Sequence, residues 1–270
     1  MKNTLHLAIF FLFSMGMTYM SREHFFPNDI HISKDYLGLF YSVFGIMFAI
    51  IAGFVLVEVL RKFAALTELI QDELNSIQDI RDLIIYFDNI SLDDQIKLKK
   101  SLCSYVKSLS DYEWVKMTKG EDFSSDTSKE LYGIMRCLDN IEITKATDSV
   151  ALTEVISEIS KVTTFRTKRI SLSKEKLPKS LIILLAFMSS VIILGFVFLS
   201  VENSFTHYFI VSTTSVSILS LFYIIYDLDK PFSGMWNLTP CEIVKLKDNL
   251  EHSIKIDVDK NRSISKTLAP

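Results

Sequence analysis

Phe40, Phe44, Met47, Ile51, Phe54 and Glu58 are separated by alternating steps of four and three residues, a spacing that lines side chains along one face of a helix. Bulky apolar groups leading to a carboxylate suit steric and dewetting control of a narrow passage, with a charge at its mouth. If several copies bring this face around an axis, Met47, Ile51 and Phe54 form the constriction and Glu58 rings the inner end. The competing reading is plain lipid exposure, with Glu58 reaching the aqueous interface, and the pattern alone leaves both open. The opposite stripe carries Gly38, Gly45, Ala49 and Gly53. Such small residues let backbones approach closely and predict a contact with another helix.

A second candidate wet face holds Thr213, Ser217 and Ser220, although hydroxyls in apolar helices more often bond to their own backbone or to neighbouring helices. Catalytic chemistry finds no foothold. His6, His24, His31, His207 and His252 are scattered without metal-ligand spacing, and there is no HExxH, no Walker-type glycine loop and no G-x-S-x-G elbow. No catalytic residue, metal or cofactor is expected. Cys103, Cys137 and Cys241 are odd in number and lack CxxC spacing, so free thiols are expected. A formal net charge of −3, without a basic stripe interleaved with aromatics, argues against nucleic acid as a partner.

These side chains sit in a chain whose apolar content is segregated. Of 270 residues 49% are hydrophobic and the mean hydropathy is +0.28, yet the excess lies in Leu5–Met20, Tyr36–Val57, Leu181–Leu199 and Phe205–Tyr226. A bilayer core needs about 20 apolar residues in a helix. The last three segments meet this without an internal Asp, Glu, Lys or Arg. Leu5–Met20 also suits the apolar core of a signal peptide, but no A-x-A-like cleavage site follows it, so it reads as a retained first span. Lysine and arginine are sparse between the first and second segments and between the third and fourth, and abundant elsewhere. The chain is therefore expected in the cell membrane as a multi-pass protein, with both termini and the large polar domain cytoplasmic.

The expected parts are a first transmembrane hairpin (1–60), a helical cytoplasmic domain (61–179), a second hairpin (180–228) and a partly disordered cytoplasmic C-terminal segment (229–270). Leu66, Ile70, Ile77, Ile80, Ile84 and Phe87 recur at helical spacing, so the second span should run straight into the cytoplasm. Ser91 with Asp94 caps a helix through about Met117, and helices are expected near Ser128–Leu138 and from Asp148 to about Leu172. Glu113 beside Trp114 suggests a carboxylate paired with Arg166 or Arg169 next to a buried packing anchor. Lys161, Arg166, Lys168, Arg169, Lys174, Lys176 and Lys179 form a basic approach to the third span. It serves as a topogenic charge belt or a surface for anionic headgroups.

Several stretches together resemble the bestrophin-like family of bacterial membrane proteins. They are the second apolar segment ending in Gly53-Phe54-Val55 and Glu58, then Asp72-Glu73-Leu74, Tyr105-Val106, Glu113-Trp114, Arg166 and Arg169 ahead of Leu177-Pro178, and Asp229-Lys230-Pro231-Phe232-Ser233-Gly234. The resemblance implies an all-α membrane protein with four transmembrane helices and a helical cytoplasmic domain inserted between the second and third. It further implies a homo-oligomer, most simply a pentamer, around an axial pore whose narrow apolar neck is lined by the second helix. Animal bestrophins carry a calcium-clasping acidic run after the Pro-Phe pair; here the chain continues Ser233-Gly234-Met235-Trp236-Asn237, so calcium activation is not carried over. Pro231, Phe232 and Gly234 are instead expected to form a turn that stops the last helix and docks Phe232 and Trp236.

The functional expectation is an oligomeric ion channel in the lipid bilayer, with a permeant ion as partner and a cation preference if Glu58 rings the inner mouth. The alternative is a membrane-anchored interaction or signalling protein acting through its cytoplasmic helices. A small transporter is disfavoured by the lack of an intramembrane charge, repeats or broken helices.

Overall fold

The computed structural model describes residues 16, 19–20, 34–87, 90–121, 126–139, 145–198 and 203–267. Helix α1 runs unbroken from Lys34 to Leu83 and passes through a short 3-10 turn at Ile84–Tyr86. The expected run-on from apolar segment to polar domain is thus one helix. Its character changes along the way: apolar all round at first, then apolar on one side, where Leu66, Leu74, Ile77, Ile80 and Ile84 are buried. Most of the first apolar segment, Leu5–Met20, lies outside the described residues.

Helix α2 (Leu92–Ser108) starts at Ser91, whose hydroxyl accepts the Asp94 N–H at 3.1 Å, satisfying a donor with no intrahelical partner. A π turn at Leu109–Glu113 interrupts the helix expected to reach Met117, and α3 (Trp114–Lys119) follows. Gly120 ends it at φ +71°, a left-handed conformation that a side chain would strain. Helices α4 (Asp126–Leu138) and α5 (Ala146–Lys174) complete the central polar stretch. The Asp148 carboxylate accepts the Lys145 N–H at 3.1 Å at the start of α5. Helix α6 (Lys179–Phe198) follows Pro178, whose carbonyl accepts the Leu181 N–H at 3.0 Å. Asn203 caps α7 (Ser204–Leu228), and α8 (Cys241–Thr267) ends the described chain. Among the described residues no strand occurs.

Two compact units emerge. The apolar unit comprises residues 1–63 and 176–230, and the polar unit residues 64–175 and 231–270. The first part of α1 together with α6 and α7 are long and apolar enough to cross a membrane. In the apolar unit Ala52, Val55, Leu185 and Ile225 form a small core, with Phe48, Ile51 and Leu221 packed on its edge. The polar unit has a larger core running from Leu66 through Leu102, Tyr105, Ile134 and Val155 to Leu250.

Where the sequence suggests a partly disordered C-terminal segment, the described residues 241–267 form a helix, and they belong to the polar unit. Ile243, Leu246 and Leu250 supply the buried side, and polar contacts to α2 hold the rest. Lys99 Nζ donates to Asp257 at 2.6 Å and to Ser253 Oγ at 3.1 Å, and Asn261 donates to Asp93 at 2.8 Å. The apolar stripe is narrow among many charges, so average composition conceals it.

Candidate functional site

The packing of α1 against its own chain decides which of its faces remains open. Ala52, Val55 and Val59 are buried, with Phe48 and Ile51 beside them. On the other side Leu39, Val43, Ile46, Ile50, Phe54 and Val57 are at least half exposed, Phe54 to 73%. Their three- and four-residue steps trace one continuous apolar column. Of the residues singled out by sequence, Phe40, Met47, Phe54 and Glu58 are exposed, while Phe44 and Ile51 are half-buried. Phe40 and Phe44 stack with ring centroids 5.0 Å apart. The open column is therefore rotated from the expected stripe: Phe54 is shared, Ile51 turns toward α6 and α7, and Ile46, Ile50 and Val57 take part unannounced. Hydropathy has no means of finding this phase in a helix that is apolar all round.

The small-residue stripe is also open among the described residues. Ala49 and Gly53 are exposed, and a Cβ built at Gly38, Gly45 or Gly53 meets nothing within 4 Å. Close helix approach occurs elsewhere: a Cβ at Gly195 of α6 would overlap the ring of Tyr41 on α1. On α7, Ser220 donates to its own backbone at Val216, at 2.7 Å, while Thr213 and Ser217 are exposed. His207, Ser212 and Ser215 lie on the buried side of that helix.

Charge gathers at the polar end of this part of α1. Arg61 donates to Glu58 at 3.0 Å, both side chains being exposed. Lys62, one residue on, points inward and meets the Asp229 carboxylate at 3.4 Å, which also accepts the Leu177 N–H at 3.2 Å. Asp229 thereby ties the end of α7 to α1 and to the approach to α6.

The polar unit encloses a denser charge cluster. Arg169, 1% exposed, donates to Glu73 at 2.8 Å and to Glu113 at 2.6 Å, and its third arm faces Met117 Sδ at 3.1 Å. Arg166 reaches Glu113 at 2.9 Å and Ser128 at 3.0 Å, and Tyr105 donates to Glu73 at 2.7 Å. Glu113 thus takes both arginines offered as alternatives. Burial alone would raise its carboxyl, but Arg169 and Arg166 outweigh that and hold it below the usual range. Burial, reinforced by Glu73, pushes the Tyr105 phenol well up. Two members of the expected basic surface are accordingly interior, and Lys161 pairs with Glu158. Lys168, Lys174, Lys176 and Lys179 remain exposed.

In the turn after α7, Pro231 and Phe232 are buried, and Phe232 meets Trp114 edge-to-face at 5.2 Å. Trp236 does not dock as expected: it is 61% exposed, beside exposed Met235. Gly234 has no positive φ.

A model of the Bestrophin-like domain matches residues 8–243. The chain belongs to that family. Structural likeness supports the same fold. A point mutant of a bacterial bestrophin homologue from Klebsiella pneumoniae is 14% identical with a TM-score of 0.72, covering 96% of this chain and 100% of that one. A second mutant of the Klebsiella pneumoniae homologue gives 0.70 at 14% identity, with 93% and 99% covered. A crystal structure described as a membrane protein gives 0.69 at 14%, with 94% and 97% covered. Among curated proteins no relative matches.

Proposed function

We propose that this bestrophin-like protein is a homo-oligomeric ion channel, assembled as a pentamer with α1 around the axis. In this reading Leu5–Met20 supplies the first of four spans, and the polar unit and both termini lie in the cytoplasm, consistent with the lysine and arginine distribution. The observation that carries it is the open column on α1. One apolar face, from Leu39 to Val57, is exposed among the described residues and ends in charge. Set around an axis, Ile46, Ile50, Phe54 and Val57 make stacked apolar rings that narrow the path and control its wetting.

The flanks of α1 suit neighbours in such a ring. Gly45, Ala49 and Gly53 form a shallow side and Phe40, Phe44 and Met47 a bulky one, so one copy's bulky flank can seat on the next copy's shallow flank. Contacts of this head-to-tail kind close into rings. A cation preference would require the Glu58 carboxylate to act alone, whereas Arg61 accompanies it at 3.0 Å.

Reconstitution of the purified protein into liposomes tests the reading. Ion flux from a ring-sized oligomer is expected, and Phe54→Ala should raise it severalfold by removing the bulkiest exposed ring. A monomer or dimer without flux would instead support a membrane-anchored interaction protein.

A further inference from the structure

The inner end of the open column carries a pair of opposite charges. Val43, Ile46, Ile50, Phe54, Val57 and Arg61 follow one another at three- and four-residue steps, which places Arg61 on the column itself. Glu58 lies off it, on the side of half-buried Ile51, one turn below Phe54. Exposure agrees with this phase: the Arg61 side chain is 75% exposed and that of Glu58 58%. No other charge occurs on α1 between Asp35 and Glu58. The next charge inward, Lys62, is 10% exposed and engaged by Asp229. Of the three charges at this end, one is thus satisfied inside the chain and two face outward together.

Resting on the channel reading, we propose that the Glu58–Arg61 pair is the charge-selectivity element of the pore. Arg61 stands nearest the permeating ion, and Glu58 sets how much of its charge that ion meets. An exposed pair at a 3.0 Å contact projects only the difference of the two side chains' fields. The apolar rings just above contribute no charge of their own, and their low-dielectric walls focus whatever field remains. The paired protein should therefore discriminate weakly between cations and anions. Loss of either partner converts the turn into a ring of like charges, one per copy.

Reversal potentials of the full-length protein in planar bilayers, under a KCl gradient, test this. Arg61→Gln is expected to raise the cation-to-anion permeability ratio by about tenfold, and Glu58→Gln to lower it by about tenfold. Glu58→Gln combined with Arg61→Gln should return close to the unsubstituted value. Both single shifts should shrink in about 1 M salt, where the screening length falls to about 3 Å. Both positions are exposed, so the variants should elute as the same oligomer. Ion flux with an unchanged reversal potential in both single variants would overturn the proposal, as would shifts of the same sign. If no variant and no unsubstituted protein conducts, the channel reading itself fails and the inference falls with it.

Discussion

Arg169 and Phe54 belong to the two units of one chain and meet opposite surroundings. The guanidinium is 1% exposed and spends its donors on Glu73, Glu113 and Met117, while the phenyl ring is 73% exposed at the middle of an apolar helix. The polar unit encloses charges that are costly to bury and satisfies them one by one. The apolar unit buries a small core and, among the described residues, leaves one face of α1 open, with nothing within 4 Å of a Cβ built at Gly38, Gly45 or Gly53. The difference teaches that one unit spends its polar groups on its own interior while the other keeps an apolar face exposed among the described residues. The polar unit pairs its buried charges internally, whereas the exposed face of α1 is apolar and is the one assigned to the proposed pore.

The sharpest way to break this comparison is to remove a charge from the polar unit. Arg169→Met removes the cation shared by buried Glu73 and Glu113, leaving Tyr105 on the one and Arg166 on the other, and truncating one partner of a buried ion pair costs about 3–5 kcal/mol. Thermal unfolding in detergent should show the largest drop of any substitution considered, without a change in ion selectivity in whatever protein still folds. Acid should act on the same cluster. Because the arginines hold the Glu113 carboxyl below its ordinary range, the folded state protonates at lower pH than the unfolded chain. Its contribution is complete above about pH 4.3 and is lost as the pH falls further. Glu113→Gln should flatten that acid limb; an unchanged limb would place the acid sensitivity elsewhere.

Much of the polar unit was legible because its signals are local. Ser91 with Asp94 and the hydrophobic steps from Leu66 to Ile84 each act within a few residues. The partners of Glu113 were legible as types, since a buried carboxylate must be hydrogen-bonded or paired, and both named arginines are its partners. Helix α8 was missed because its apolar stripe is thin among charges. Trp236, expected to dock with Phe232, stays 61% exposed while Phe232 is buried against Trp114. The phase of α1 could not be read, since Ile50 and Ile51 are equally apolar and only the positions of Leu185 and Ile225 separate them. Arg61 lies three residues after Glu58, a spacing that favours pairing on a helix and makes their contact legible in the sequence.

Two glycines test the comparison inside the apolar unit. Gly195→Ala forces a methyl group against the Tyr41 ring, an overpacking expected to cost about 1–3 kcal/mol. Gly53→Leu adds more bulk, but where one chain presents nothing within 4 Å. Its thermal stability as a dissociated chain should be nearly unchanged, while size-exclusion chromatography should show the oligomer lost. Equal destabilisation of the dissociated chain by both changes would mean that the glycine stripe already has a partner within its own chain.

The finest separation is between adjacent isoleucines. Ile51 packs at the edge of the core formed by Ala52, Val55, Leu185 and Ile225, whereas Ile50 is 53% exposed. Ile51→Ala should therefore cost about 1–2 kcal/mol, part of the penalty for a fully buried site, and leave conductance nearly unchanged. Ile50→Ala should fall within about 0.5 kcal/mol in stability and raise conductance by widening an apolar ring. The two measurements answer different questions, because unfolding senses the chain's own packing and conductance senses the face that packing leaves open. If Ile51→Ala changed conductance and Ile50→Ala did not, the pore face would lie on the stripe expected from spacing alone, and α1 would have to turn on assembly by about 100°.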